Sequence, residues 1–256
     1  KNLIRVFFLQ ERAKKLRYAP SEKSRLVKKI AVVGAGVMGA GIAQWGAARE
    51  IQVILRDIGV EPLAKGMGTV TKLFNDGAKR HVFTKAEARA GIDRVFPSPA
   101  DVPLKNTEIV IEAAVEKMDL KKKVFARLSE LSGPQTILAT NTSALSVSEL
   151  AASIQDPTRV VGIHFFNPVH RMQLVEVIVG KQTSPQVVQR SVEFVQQLGK
   201  LPVVVKDSPG FLVNRILMPY LIEAGHLFEN GARVEDIDET MLEFGMPMGA
   251  MRLADE

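Results

Sequence analysis

Cysteine is absent from all 256 residues, which excludes disulfides, thiolate nucleophiles and a cysteine-based zinc site, and fits a reducing compartment. No apolar run approaches the roughly 20 residues that a membrane-spanning helix needs. The early stretch "RVFFLQERAKK" breaks into charge too soon for a secretory signal. An evenly basic surface is missing as well, although the net charge is +6. Residues 1–29 hold ten Lys or Arg against Glu11 and Glu22, a local charge of +8, and the remainder is at −2. The body of the protein therefore has no charge reason to bind nucleic acid or an anionic membrane. An initiator methionine is lacking at Lys1, and "MRLADE" ends without a helix stop signal, so the chain is expected to be a piece of something longer.

What is present is an alternation of short apolar runs with amphipathic ones. Hydrophobic content of 46% and charged content of 24% are those of a globular protein with room for one large α/β domain and part of another. Residues 1–18 place Leu3, Ile4, Phe7, Phe8 and Leu16 among charges, an amphipathic helix, and "YAPSEKS" then reads as a linker. That helix is either a solvated extension or a segment docked on another domain. From Lys28 strands are expected at 28–36, 51–57, 107–114, 135–143, 158–166, 173–180 and 200–207. Helices are expected at 37–50, through "PLAKGMGTVTKLFNDGAKR", at 84–91, 117–132 and from Pro185 to Leu198. Such spacing predicts an α/β fold with a doubly wound, mostly parallel sheet. After "SPG" the composition turns helical. The expected organisation is a helix and connector over 1–27, a sheet domain over 28–207, and the start of an all-helical domain over 208–256.

Gly34-Ala-Gly36-Val-Met-Gly39 is G-x-G-x-x-G, directly after an expected strand and opening an expected helix. Gly34 suits the tight turn, Gly36 the approach of a pyrophosphate, and Gly39 the close packing of helix on strand. The helix N-terminus then faces phosphates with unpaired N–H groups. Asp57 ends the next strand, where a carboxylate grips ribose hydroxyls and favours NAD over its 2′-phosphorylated relative. Arg56 beside it is a complication, otherwise a charge at the sheet rim.

In "GIHFFNPVHRMQLVEVIVG", His164 ends one strand and Glu176 stands alone inside another. A buried carboxylate needs a partner. If the two strands form an antiparallel hairpin pairing Phe166 with Leu174, His164 lies opposite Glu176 on the same face. The pair is then a base with its orienting acid, or a structural bridge. Asn141, Thr142 and Ser143 end another strand, as hydrogen-bond donors or as the cap of the next helix. His170 reads as a solvated loop residue, and His81 and His226 as structural.

Seven stretches in order, "VVGAGVMGAGIA", "EAAVEK", "ATNTSALSVSEL", "GIHFFNPV", "LVEVI", "DSPGFLVNR" and "FGMPMG", resemble the L-3-hydroxyacyl-CoA dehydrogenases of fatty-acid β-oxidation, from about Lys28 to the end. The resemblance implies a Rossmann domain, NAD as cofactor and an acyl-CoA substrate, with no metal. It implies His164 as general base, Glu176 as its partner, Ser143 on the substrate's 3-oxygen and Asn214 completing the site. Gly34, Gly36, Met38, Gly39, Asp57, Ala114, Val115, Glu116, Lys121 and Asn167 match the family's NAD contacts. Segment 1–27 looks like the connector of multifunctional β-oxidation proteins, which carry a hydratase/isomerase domain upstream. Two departures are Ala250, where the family usually has proline, and Ala254, near a usual leucine. The expected compartment is the cytoplasm, or mitochondria or peroxisomes in a eukaryote, and a homo-oligomer is left open. The alternatives are a short-chain 3-hydroxybutyryl-CoA dehydrogenase of fermentation and a non-catalytic NAD-binding relative. Sugar-nucleotide dehydrogenases share the glycine motif but need a cysteine nucleophile, which is lacking.

Overall fold

Runs such as Ile30–Val33 and Ile109–Ile111 are apolar on both sides, so as strands they must be covered on both faces, and helices between them do the covering. A computed structural model describes residues 2–20 and 26–255. After α1 (Asn2–Lys14) come β1 (Lys29–Val33), α2 (Val37–Ala47), β2 (Gln52–Arg56), α3 (Val60–Lys79), α4 (Lys85–Asp93) and β3 (Val95–Ser98). The series continues with β4 (Ile109–Glu112), α5 (Met118–Leu131), β5 (Ile137–Thr140), α6 (Val147–Ala151), β6 (Val160–Phe165), β7 (Leu174–Val179), α7 (Pro185–Gln197) and β8 (Leu201–Lys206). Thr84 caps α4 with a reciprocal Glu87 box, and Ser184 with Pro185 opens α7.

The strands form one sheet in the order β3-β2-β1-β4-β5-β6-β7-β8. All pairings are parallel except β6 with β7. The sheet is thus doubly wound and mostly parallel, as expected. From β1 the chain steps outward to β2 and β3, then returns to β4 on the other side of β1. That reversal opens a crevice at the carboxyl ends of β1 and β4. The carboxyl ends of β1, β2, β4, β5 and β6 share one edge because these strands run in one direction.

β3 lies outside the sequence expectation. Its Pro97 is a poor strand residue in general, but β3 is an edge strand, where a missing N–H does little harm.

The expected amphipathic helix is α1. Its Leu3, Ile4, Phe7 and Phe8 are exposed, while its C-terminal side is fastened to α7. Gln196 donates to the Ala13 and Leu16 carbonyls, and Gln189 accepts from the Tyr18 and Ala19 amides. Of the expected linker, Ser21 to Ser24 lie outside the described residues.

The chain divides into a unit ending at Ser208 and another from Pro209. The second holds α8 (Val213–Glu229), α9 (Val234–Phe244) and α10 (Ala250–Asp255), around Ala224, Ile237 and Ala250. Asp238 accepts from the amides of Met251 and Arg252 and caps α10. Among the described residues, no helix is long and apolar enough to cross a membrane.

The β6–β7 hairpin is packed so closely that a methyl group at Gly162 would lie 2.7 Å from Ile178 Cβ and 3.0 Å from Val147 Cγ2. Gly162→Ala is expected to lower stability by about 1–3 kcal/mol through overpacking. An unchanged denaturant midpoint would show that the hairpin yields there.

Candidate active site

The loop after β1 is shaped by two close approaches. Gly34 has φ +104°, and a Cβ there would lie 2.5 Å from the Ala113 carbonyl oxygen. At Gly39 a Cβ would lie 1.7 Å from the Gly34 oxygen, so helix α2 reaches the strand only without a side chain. Gly36 is different: nothing lies within 4 Å of the side chain it lacks. It is the N-cap of α2, so the helix end faces that open space with backbone N–H groups and a positive dipole end. A pyrophosphate fits this geometry, with Met38 half-buried in the first helical turn.

Asp57 closes the neighbouring side. Its Oδ2 accepts from the Ala35 amide at 2.6 Å and its Oδ1 from the Ile58 amide at 2.7 Å. Each oxygen retains a further lone pair for a hydroxyl group. Arg56 is engaged elsewhere, in an ion pair with Asp101, which also accepts from Arg127 Nε at 2.6 Å. Its guanidinium is therefore neutralised by an acid of the protein, which disfavours recruitment to a 2′-phosphate.

A second knot sits where β4 and β5 end. Glu112 is 0% exposed and Lys121 of α5 is 1% exposed, paired at 2.7 Å. The same Glu112 oxygen accepts from the Ala114 amide, and the other accepts from the Thr140 hydroxyl at 2.8 Å. Lys121 donates further to the Ala114 carbonyl and lies 3.3 Å from Glu116. Glu116 in turn accepts from the Thr142 hydroxyl and from the Ser143 amide and hydroxyl. Burial opposes ionisation of Glu116, but the bonds from Thr142 and Ser143 and the charge of Lys121 outweigh it. Its carboxyl is held below the ordinary range. The loops carrying Ala114, Val115 and Ser143 are thereby tied together. Val115 itself is exposed. The N-cap of α6 is Ser146, not the Asn141–Ser143 row.

The hairpin has the register in which His164 faces Glu176. His164 Nδ1 lies 2.7 Å from Glu176 Oε2, with the two residues 6% and 1% exposed. An ionised carboxylate only accepts, so Nδ1 carries a hydrogen, and in the neutral ring the lone pair is then on Nε2. The Phe166 ring stands 4.5 Å from the imidazole, and Asn141 Oδ1 accepts from the Phe165 amide at 2.9 Å, holding the strand end. Asn167 is exposed on the following loop. Asn214 belongs to the first turn of α8, in the second unit. His170 is half-buried rather than solvated, and His81 and His226 are exposed.

Glu112 escaped the sequence reading, although its signal was the one that exposed Glu176: a carboxylate inside an apolar strand, here "EIVIEAA". Lys121, nine residues later, is the cation such a position requires. Among the described residues no cluster of His, Asp and Glu could hold a metal ion.

Residues 29–208 match the model of the 3-hydroxyacyl-CoA dehydrogenase NAD binding domain, and residues 210–256 match that of the C-terminal domain. The chain belongs to the 3-hydroxyacyl-CoA dehydrogenase family. Over 254 residues it is 40% identical to the fatty acid oxidation complex subunit alpha of Psychrobacter arcticus, covering 99% of this chain and 35% of that protein. It thus spans about a third of the length of the curated relatives it matches. The (S)-3-hydroxybutyryl-CoA dehydrogenase PaaH1 of Ralstonia eutropha is similar with a TM-score of 0.84 at 42% identity, over 90% of this chain and 82% of that one. The 3-hydroxybutyryl-CoA dehydrogenase of Escherichia coli gives 0.86 at 40%, over 90% and 49% respectively. In a member of this family the cradle of Gly34, Gly36 and Gly39 lies in an NAD-binding domain.

Two outcomes follow for this 3-hydroxyacyl-CoA dehydrogenase relative. Lys121→Met leaves Glu112 charged and buried without its cation, and is expected to cost about 3–5 kcal/mol of stability in urea titration. Asp57→Ala is expected to weaken NAD binding by about tenfold or more, as for loss of a charged hydrogen-bond partner. Unchanged affinity by calorimetry would remove Asp57 from the ribose site.

Proposed function

We propose that this chain performs NAD-dependent oxidation of L-3-hydroxyacyl-CoA to 3-oxoacyl-CoA, as the dehydrogenase portion of a multifunctional β-oxidation protein. The observation that carries this reading is the buried His164–Glu176 pair on the sheet edge that also bears the glycine cradle. Bound NAD supplies the hydride acceptor for C3 of the substrate. His164 takes the 3-hydroxyl proton at Nε2, the nitrogen that Glu176 leaves free of hydrogen. Glu176 fixes that tautomer and stabilises the imidazolium as the proton arrives. Ser143 binds the 3-oxygen, its position set by Glu116, and Asn214 is the further substrate residue that the family resemblance implies. Gly34, Gly36, Met38, Gly39, Asp57, Ala114, Val115, Glu116, Lys121 and Asn167 form the NAD site. Within it Lys121 and Glu116 act by shaping the loops.

The relatives' length supports an upstream hydratase/isomerase domain, and their bacterial sources support a cytoplasmic protein. A homo-oligomer remains part of the proposal only for the complete protein. A preference for short chains is the second reading, favoured by the two solved relatives named as 3-hydroxybutyryl-CoA dehydrogenases.

NADH formation from 3-hydroxyacyl-CoA esters of increasing length, measured on the full-length protein, decides between these. His164→Ala is expected to lower kcat by about a hundredfold to ten-thousandfold with NAD affinity retained, as for loss of a general base. Glu176→Gln keeps the shape but removes the charge, so kcat falls while NAD affinity holds. Equal loss of both in Glu176→Gln would make the pair a structural bridge. A maximum at four carbons would favour the short-chain reading.

A further inference from the structure

Lys200, just before β8, is 3% exposed and takes no part in the proton transfer. An ammonium group has three hydrogens to place. Two go to backbone oxygens of the loop joining β6 to β7: that of Val169 and, at 2.6 Å, that of Met172. The nitrogen also lies 4.0 Å from the centroid of the Trp45 ring, so the third can face the π cloud. Trp45 belongs to α2, the helix that opens the dinucleotide cradle, and its indole donates to the Leu198 carbonyl at 2.9 Å.

The loop touches α2 directly as well. A methyl group at Gly41 of α2 would lie 3.1 Å from Val169 Cγ2, so the absence of a side chain there lets helix and loop meet. The same loop starts at Phe166, whose ring packs on His164, and continues with Asn167. One cation therefore joins three parts: the strand after α7, the loop that follows the base, and the cofactor helix.

We propose that Lys200 is a positioning residue, which fastens loop 166–173 to α2 so that the cofactor cradle and His164 keep a single relative geometry. This rests on the assignment of His164 as base, but its first two readouts, tryptophan emission and NAD affinity, need no turnover. Failure here is thus separable from failure of the proposed reaction, which would appear as a native protein that binds NAD yet oxidises no 3-hydroxyacyl-CoA.

The groups facing this cluster are cations. Arg49, in the turn after α2, stands 4.3 Å from the centroid of the Trp45 ring. Arg171 of the loop and Arg80 after α3 act with Lys200 to lower the pKa of His170, after burial as the largest cause. Burial, helped by Arg49, lowers the Lys200 pKa to about 8. The unfolded chain holds that proton more tightly, so stability does not fall on this account as pH rises through 8. What is lost is the cation on the ring and one of three donors, a change in fastening rather than in folding.

The sequence contains a single tryptophan, so intrinsic tryptophan emission reports Trp45 alone. The native protein is expected to show an emission change centred near pH 8, accompanied by a fall in NAD affinity. In Lys200→Met the emission change disappears, NAD affinity at neutral pH drops about threefold to thirtyfold, and kcat falls with it, a size typical of coupling residues. A folded Lys200→Met protein with native NAD affinity and native kcat would overturn the proposal, as would native emission that stays flat across pH 8. If Lys200→Met does not fold, Gly41→Ala decides: it presses on Val169 while leaving Lys200 in place. Weakened NAD binding with a displaced emission midpoint supports the fastening role; native values for both overturn it.

Discussion

A carboxylate buried in an apolar strand, within it or at its end, is the constraint on which this site depends, and it occurs twice. Glu112 ends β4 and Glu176 lies within β7, both almost wholly shielded from water. Neither can stay ionised there without a partner held at hydrogen-bond distance. Glu112 meets Lys121 and, through its other contacts, Ala114 and Thr140, so its partner shapes the rim of the crevice. Glu176 meets His164 and selects, for the neutral ring, the tautomer with its hydrogen on Nδ1. The same electrostatic demand yields a scaffold in one case and a polarised imidazole in the other. The difference lies in the partner: the lysine places its remaining hydrogens on neighbouring loop groups, whereas an imidazole has a second ring nitrogen that can exchange a proton.

The sheet brings these solutions together without any one loop being long. Parallel strands deliver their carboxyl ends to one edge, and the reversal beside β1 opens the crevice there. The antiparallel β6–β7 pair is the exception that matters, because only a hairpin sets a residue late in one strand against a residue early in the next. A parallel β7 would require a crossover and would place Glu176 by a different rule.

Much of this was legible in the sequence, for identifiable reasons. Apolar runs bounded by glycine or charge marked β1, β4, β6 and β7, and the glycine spacing marked the cradle because backbone contact admits no substitute at Gly34 or Gly39. Once a hairpin pairing Phe166 with Leu174 is assumed, period-two geometry sets His164 opposite Glu176, and the structure has that register. β3 stayed hidden because Pro97 argues against a strand unless the edge position is known. The Glu112–Lys121 pair was hidden because its members come from a strand and the following helix, whose relative rotation no spacing rule fixes. Asn141 was read as a donor or cap, yet its side-chain oxygen accepts from Phe165, a contact between neighbouring strands that local sequence does not encode.

Cofactor discrimination adds a last step of the same kind. Arg56 stands one residue before Asp57, close enough in sequence to suggest a competing claim on a phosphate. In the fold, Asp101 from the segment after β3 takes the guanidinium, and Arg127 of α5 shares that carboxylate. Arg127 also pairs with Glu130, so two cations meet two acids; the Arg56 charge is drawn to Asp101, and Asp57 is bound by backbone amides. A carboxylate so placed accepts from ribose hydroxyls and repels a 2′-phosphate. On the proposed ribose contact of Asp57, preference for NAD rests on Asp101 as well, because an unclaimed Arg56 would weaken the repulsion that Asp57 supplies.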